Sequence, residues 1–296
     1  MNELQQKPEL SYPNRYIVAH IDILGTKSFL NDNEYSYNFI TDLNNLYNVA
    51  LSNINSLSED VREEFKLEKD GVEFSDFYVK TKIFSDNICI YLKLPAKEEA
   101  RKERLRLTWF LQLLANFQFL AIIDYGFIVR GGVDIGVLYE NDIFINGKAL
   151  SSAYTLESKK AKSPRIILGD ELKKYFSLID NSGSIPFSRK DSDGELFIDY
   201  LLYSYRKDDT QLSILKKHKN ILIDKFERTN DIYVQMKIIQ SMIYHNRYCL
   251  NSNEWDTKYR TGECTAKFRN TTSLVIDITN IVMVKSNKLL VRTELS

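Results

Sequence analysis

Cysteine, histidine, long apolar runs and net charge are all scarce in this chain of 296 residues, and each scarcity removes a class of protein. Cys89, Cys249 and Cys264 are odd in number, widely spaced and free of any C-x-x-C pair, which argues against a disulfide framework or a cysteine zinc site and fits a reducing cytoplasm. His20, His218 and His245 lack metal-ligand spacing, and His245 reads as a helix-face or hydrogen-bonding histidine. No segment reaches the roughly 18 consecutive apolar residues of a membrane span; Leu105–Ile123 comes nearest and is interrupted by Gln112, Asn116 and Gln118. The start, MNELQQKPELSYPNR, has no signal-peptide core and reads as a flexible arm over residues 1–14.

Forty basic residues balance forty acidic ones, so neither nucleic acid nor a membrane is expected as a partner, and any phosphate binding must be local. The basic run Lys216–Lys219 reads as a solvated helix face, and Asn270-Thr-Thr has no secretory context. A Walker loop is missing: Gly147 and Lys148 are followed by Ala149, and Asp142 stands at the first glycine position.

What is present alternates between two periodicities. Arg15–Leu24 reads as a buried strand ending at Gly25, and the apolar spacing over residues 34–57 predicts an amphipathic helix. Ser58–Asp70 reads as an exposed connection. Val72–Phe84 and Asn87–Leu94 are strand-like and separated only by Ser85 and Asp86, which predicts a hairpin with Asp86 at its tip. A long helix over Glu98–Asp124 precedes a glycine-bearing strand, Phe127–Tyr139, and a short partner strand over Asp142–Ile145. A helix from about Lys148 to Lys160, a strand Arg165–Leu168 and a short helix Asp170–Phe176 follow. The expected class is α/β, an α+β sandwich with helices on a mostly antiparallel sheet.

Residues 15–180 thus form the expected main domain, and residues 195–296 a mixed α/β C-terminal extension that regulates, senses or dimerises. Asn181–Gly194 reads as a linker or exposed loop, Glu195–Tyr203 as a strand, Asp209–Glu227 and Asp231–Tyr248 as helices, and Ser273–Arg292 as two strands; Trp255–Asn270 is polar and has no assignment.

Asp22 and Asp86, one at a strand end and one at a hairpin tip, are the minimum equipment for Mg²⁺ or Mn²⁺, hard ions that prefer oxygen ligands and neutralise triphosphate charge. Alternatively, each is an ordinary turn aspartate. The ordered set HIDILGTKSFL, KIFSDNICIYL, RGGVDIG and GKALSSAYTLE resembles the motifs of the class III nucleotidyl (adenylate and guanylate) cyclases over residues 15–170. The resemblance implies a cyclase-like, ferredoxin-like or palm-type fold and a homodimer with sites between its chains. It further implies two ions on Asp22 and Asp86, assisted by the Ile23 carbonyl, with Gly25 near the phosphates.

The same comparison marks departures. Ser151 occupies the family's ribose-orienting asparagine position and Thr155 its transition-state arginine position; Arg130, Lys148 and Arg165 are candidates to supply the missing charge. Lys82 matches a base-reading lysine, whereas Phe144 replaces the companion aspartate, so selectivity for ATP is not expected. By analogy with soluble, divergent, compact bacterial pyrimidine cyclases of anti-phage defence, UTP or CTP is the alternative nucleoside triphosphate. Two readings stay open beside the cyclase: a catalytically degenerate, cyclase-like nucleotide-binding sensor or assembly module, and a palm-like polymerase or oligonucleotide synthase.

Overall fold

A run such as YIVAHIDI is stable as a strand only with neighbours on both edges and cover on both faces. The computed structural model supplies them; it describes residues 14–24, 37–48, 79–96, 100–180, 184–204, 210–258, 274–282 and 285. The first half runs β1 (Asn14–Ile23), α1 (37–48), β2 (Lys80–Phe84), β3 (Asn87–Leu94), α2 (Ala100–Ile123) and β4 (Val129–Glu140). The order β2-β3-β1-β4, all antiparallel, is the split βαβ arrangement of ferredoxin-like folds.

Alternation along β1 decides which layer touches which face. Ile17, Ala19, Ile21 and Ile23 point into the large core formed with α1 and α2, through Phe39, Leu43, Leu46, Leu107, Phe110 and Leu114 among others. Full burial of each isoleucine, leucine or phenylalanine side chain among them contributes about 1.5–3 kcal/mol. Tyr16 and Val18 point the other way, onto Ala149 and Ala153 of α3 (Lys148–Thr155). The helix α2 is long and apolar enough to cross a membrane, yet 78% of that window is buried against the sheet, as a core helix requires.

Small residues let α3 approach. A Cβ on Gly132 would lie 2.4 Å from both the Ala153 carbonyl oxygen and the Leu156 Cβ, so only glycine lets the helix sit this close to β4. After α3 the chain passes into a π-helical turn (Leu156–Lys160), then β6 (Ile166–Leu168), α4 (Asp170–Ile179), β7 (Ser188–Lys190) and β8 (Leu196–Ile198). β6 runs parallel to β4, and β8 and β7 extend the sheet to eight strands; β5 (Ile145–Asn146) pairs the end of β4.

The second half differs from expectation in particular places. Asn181–Gly194, expected as a loop, contains β7, because pairing with β8 satisfies backbone groups that its polar side chains do not advertise. The sheet therefore continues past residue 180. The strand expected over Glu195–Tyr203 divides into β8 and a 3₁₀ turn, Tyr200–Ser204, where buried Asp199 accepts hydrogen bonds from Arg189 and Tyr244. The short strand expected at Asp142–Ile145 shifts to Ile145–Asn146, since the Asn141 side chain takes the amides of Ile143 and Phe144 and closes a turn.

The helices α5 (Thr210–Arg228) and α6 (Ile232–Lys258) follow, α6 reaching into the polar stretch that had no assignment. They pack on the end of α2 and on Ile128 through Leu215, Leu222, Ile238 and Met242. Residues 278–282 are helical, not one of the two strands expected there; Asn246 Nδ2 donates to the Ile276 carbonyl and the Ile276 amide donates to Asn246 Oδ1, so the segment bonds to a helix side chain rather than to a sheet edge. Residues 1–13 of the arm, Gly25, the ends of the helix expected over 34–57 (34–36 and 49–57), the connection at Ser58–Asp70, the start of the strand expected at Val72–Phe84 (72–78), Cys264 and residues 286–292 of the expected C-terminal strands lie outside the described residues, while Asn14 begins β1.

Two of the three histidines meet inside this second core. His218 Nδ1 lies 2.9 Å from His245 Nδ1, and His218 Nε2 lies 2.9 Å from the Tyr200 hydroxyl. Burial pushes His245 down to about 4, and burial together with its neighbour holds His218 well below the ordinary value of 6.5. On unfolding both regain the ordinary affinity for protons, so stability is complete above pH 6.5 and is lost as pH falls toward 4. Urea midpoints measured from pH 7.5 down to 4.5 should fall in that window, and a His218→Gln, His245→Gln variant should show a flatter profile.

Candidate active site

The β1 register decides what surrounds Asp22. Its cross-strand neighbours are Asn87 on β3 and Arg130 on β4, and the next residue, Ile23, donates its amide to the Asp86 carbonyl at 3.1 Å. The two aspartates predicted from sequence are thus at one corner of the sheet. Ser85, with φ of 57°, and Asp86 form the hairpin turn, and Asn87 Nδ2 donates to Asp86 Oδ1 at 3.1 Å.

Arg130 is drawn into the corner by charge. Its Nε donates to Asp22 Oδ2 at 3.0 Å, and its Nη2 stands 2.8 Å from Glu157 Oε1. Glu157, with a side chain only 4% exposed, sits on the π-helical turn after α3, a local winding that recurs at functional positions. His20 Nδ1 is 4.0 Å from Glu157 Oε2, and burial lowers the His20 pKa, so this pair is not an ion pair at neutral pH.

The carboxyl groups are under electrostatic strain. Burial raises the pKa of Asp22; the Arg130 hydrogen bond and charge oppose it, and Asp86 adds repulsion. Glu157 is likewise raised by burial, against Arg130, with Asp22 repelling it. Lys237, on α6, is lowered by burial and by Arg130, while Asp22 and Glu157 attract its charge. A helix of the C-terminal half therefore lends a cation to the corner.

Lys82 shares the face of the sheet that carries Asp22. Residues Lys82, Cys89, His20 and Gly132 form one rung across four strands, which places Lys82 about 10 Å from His20 at two strand spacings. Its Nζ donates to the Asp142 carbonyl at 2.7 Å, in the same turn as half-exposed Phe144. The two positions expected to face the base are thus neighbours.

Ser151 and Thr155 stand elsewhere. With Ala149, Ala153 and Leu156 facing the sheet, helical phase turns Ser151 and Thr155 to solvent, where the Thr155 hydroxyl donates to the Ser151 carbonyl. They do not join Asp22 in the same chain. Lys148 is exposed at the start of α3, behind Gly147, where a Cβ would lie 2.3 Å from the Val137 carbonyl. Arg165 is committed to Asp191 and Asp193.

Sequence reasoning overlooked Glu157 and Lys237. Glu157 had a signal, since it ends the stretch GKALSSAYTLE, but no partner could be named before Arg130 and Asp22 were seen beside it. Lys237 had none; it reaches the corner only because α6 packs across that end of the sheet.

The fold and the corner define an α/β domain with a ferredoxin-like core and paired carboxylates at one strand end. No family model matches the chain, and no curated protein matches it. Similar solved structures include the adenylyl cyclase CyaB from P. aeruginosa, at 14% identity over 63% of this chain and 94% of that one, TM-score 0.38. The catalytic core of a rhodopsin-guanylyl cyclase with converted specificity, in complex with ATPalphaS, is 12% identical over 63% and 96%, TM-score 0.38. The guanylate cyclase domain of RhGC from Catenaria anguillulae, in complex with GTP, is 13% identical over 62% and 93%, TM-score 0.35.

Replacing Arg130 by methionine should leave two buried carboxyls without their cation. NMR titration should find both Asp22 and Glu157 with raised pKa values, and urea unfolding should register a loss of about 2 kcal/mol.

Proposed function

We propose that this chain is a nucleotidyl cyclase that converts a nucleoside triphosphate into a 3′,5′-cyclic monophosphate and pyrophosphate. The observation that supports this most is the meeting of Asp22, Asp86 and Arg130 at one corner, with Lys82 on the same face. In the reaction the ribose 3′-oxygen attacks the α-phosphorus, its proton leaves to solvent or base, and the bond to pyrophosphate breaks.

The residues fit the hard divalent ions that such chemistry uses. Asp22, Asp86 and the Ile23 carbonyl offer only oxygen, and Mg²⁺ or Mn²⁺ is commonly held by one or two carboxylates, water and substrate phosphates. Among the described residues no three His, Cys, Asp or Glu side chains form an all-protein cage, which this mode does not need. When bound, two such ions would offset phosphate charge and acidify the attacking hydroxyl. Arg130, already directed at the corner, would hold the phosphates, and Lys82 with Phe144 would meet the base. Gly25 would keep the backbone close to the phosphates.

Ser151 and Thr155 face away from their own Asp22, so they can serve only a site on a second chain. That orientation supports a homodimer as part of this reading. Phe84, Phe144 and Tyr154, all more than half exposed, are available to such a contact. With Phe144 in place of an acceptor for adenine's amino group, UTP or CTP is the proposed substrate, in the setting of anti-phage signalling.

Incubation with each nucleoside triphosphate and Mn²⁺, followed by mass spectrometry, should yield a cyclic monophosphate. Asp22→Ala or Asp86→Ala should reduce the rate by about two powers of ten or more. Absence of product from all four triphosphates would sink the reading. A second reading, a nucleotide-binding sensor without turnover, is favoured by Ser151 and Thr155 themselves; calorimetry showing nucleotide binding without product would select it.

A further inference from the structure

Arg130 has two carboxylate partners, and they are mounted differently. Asp22 lies opposite it across the β1–β4 ladder and takes its Nε at 3.0 Å. Glu157 comes from the π-helical turn after α3 and meets its Nη2 at 2.8 Å. Each carboxylate uses a different nitrogen of the guanidinium, so loss of one leaves the other contact standing. Glu157 Oε1 accepts no directed hydrogen bond among the described residues; charge holds Nη2 there, which lets the guanidinium turn about that contact.

The turn behind Glu157 is fixed. The Ala161 amide donates to the Leu156 carbonyl at 2.8 Å and closes the wide winding, and Leu156 packs with Ala161 and Ile167. A Cβ on Gly132, two residues beyond Arg130, would lie 3.1 Å from the Glu157 amide nitrogen, so the turn rests against the strand that carries the arginine. The Glu157 side chain is 4% exposed, and burying a carboxylate that far is costly unless a cation meets it. Among the described residues, the basic side chains within 4.0 Å of it are Arg130 and His20. Asp22, at the strand end, is the partner that the divalent ions of the proposed reaction would take. Arg130 would then keep Glu157 as its one anchor.

We propose that Glu157 is the positioning residue of this site: it keeps the Arg130 guanidinium at the corner once Asp22 is given over to ions, with Nε turned to the triphosphate. This role rests on the cyclase reading, and Glu157 acts through Arg130 without touching substrate. Two measurements on the full-length protein test it. The first needs no ligand: in Asp22→Ala, the Arg130 side-chain ¹⁵N–H resonances should still be those of a guanidinium with hindered rotation, and in Asp22→Ala, Glu157→Gln those of a freely rotating one. The second is calorimetry with the four 3′-deoxynucleoside triphosphates and Mg²⁺, ligands that lack the attacking hydroxyl. Glu157→Gln should weaken binding at least tenfold in the native background and less than twofold beside Arg130→Met, a non-additivity that general damage to the fold does not give. Glu157→Asp, which keeps the charge but draws it back by one methylene, should weaken binding only severalfold. Freely rotating Arg130 in Asp22→Ala alone, affinity unchanged by Glu157→Gln, or an equal loss in the Arg130→Met background would each overturn this role and leave the cyclase reading standing. No binding of any triphosphate to the native protein would overturn the cyclase reading and this role with it.

Discussion

Ten consecutive cross-strand pairs between β1 and β4 set the position of every candidate group. They place Asp22 opposite Arg130, and the glycines of RGGVDIG opposite the part of β1 over which α3 packs. Side chains alternate with period two, so a slip of β1 by one residue would turn Asp22 into the apolar core, away from Arg130, and Ile21 toward α3. The apolar residues that bury β1 on its other face therefore also hold the carboxylate in place. Core packing and site geometry are one constraint here.

Asp134 extends that constraint to the helices. Only 2% exposed, it accepts the amides of Ile135 and Leu172 at 2.9 Å and the Ser152 hydroxyl at 2.5 Å. Leu172 lies in the first turn of α4, so a strand carboxylate caps that helix end from outside it. Ser152 ties α3 to the same group. The turn that carries Glu157 to Arg130 is thus anchored at one end by Asp134 and along its length by the contact at Gly132.

Periodicity made the first half legible: Asn87–Leu94 and the hairpin at Ser85 and Asp86 were readable from β-branched residues and a two-residue gap, and α2 from its apolar spacing. Asp22 and Asp86 could be paired through the ordered set of motifs that contains them, since each alone reads as an ordinary turn aspartate. Less was readable where a structure depends on distant partners. β7 is polar and three residues long, and it exists because β8 pairs with it. The β-branched run near Ile276 looks like a strand in isolation, but helices rather than strands surround it. Glu157 and Lys237 gain meaning only from the carboxylate they approach.

The corner's electrostatics argue for a site that can take a further cation, since its carboxylates outnumber its cations. Three carboxylates, Asp22, Asp86 and Glu157, are set against two cations, Arg130 and Lys237, in surroundings that raise the pKa of Asp22 and Glu157 and lower that of Lys237. A structural ion pair alone would be served by one carboxylate per guanidinium, and burying extra charge costs more than such a pair returns. Arg130 instead spans two carboxylates while 24% of its side chain stays exposed. Phosphate arriving with its own divalent ions would bring Asp22 cations in place of the guanidinium and give the guanidinium oxygens in place of Asp22. On the proposed reading, each charged group would then exchange one partner of opposite sign for another.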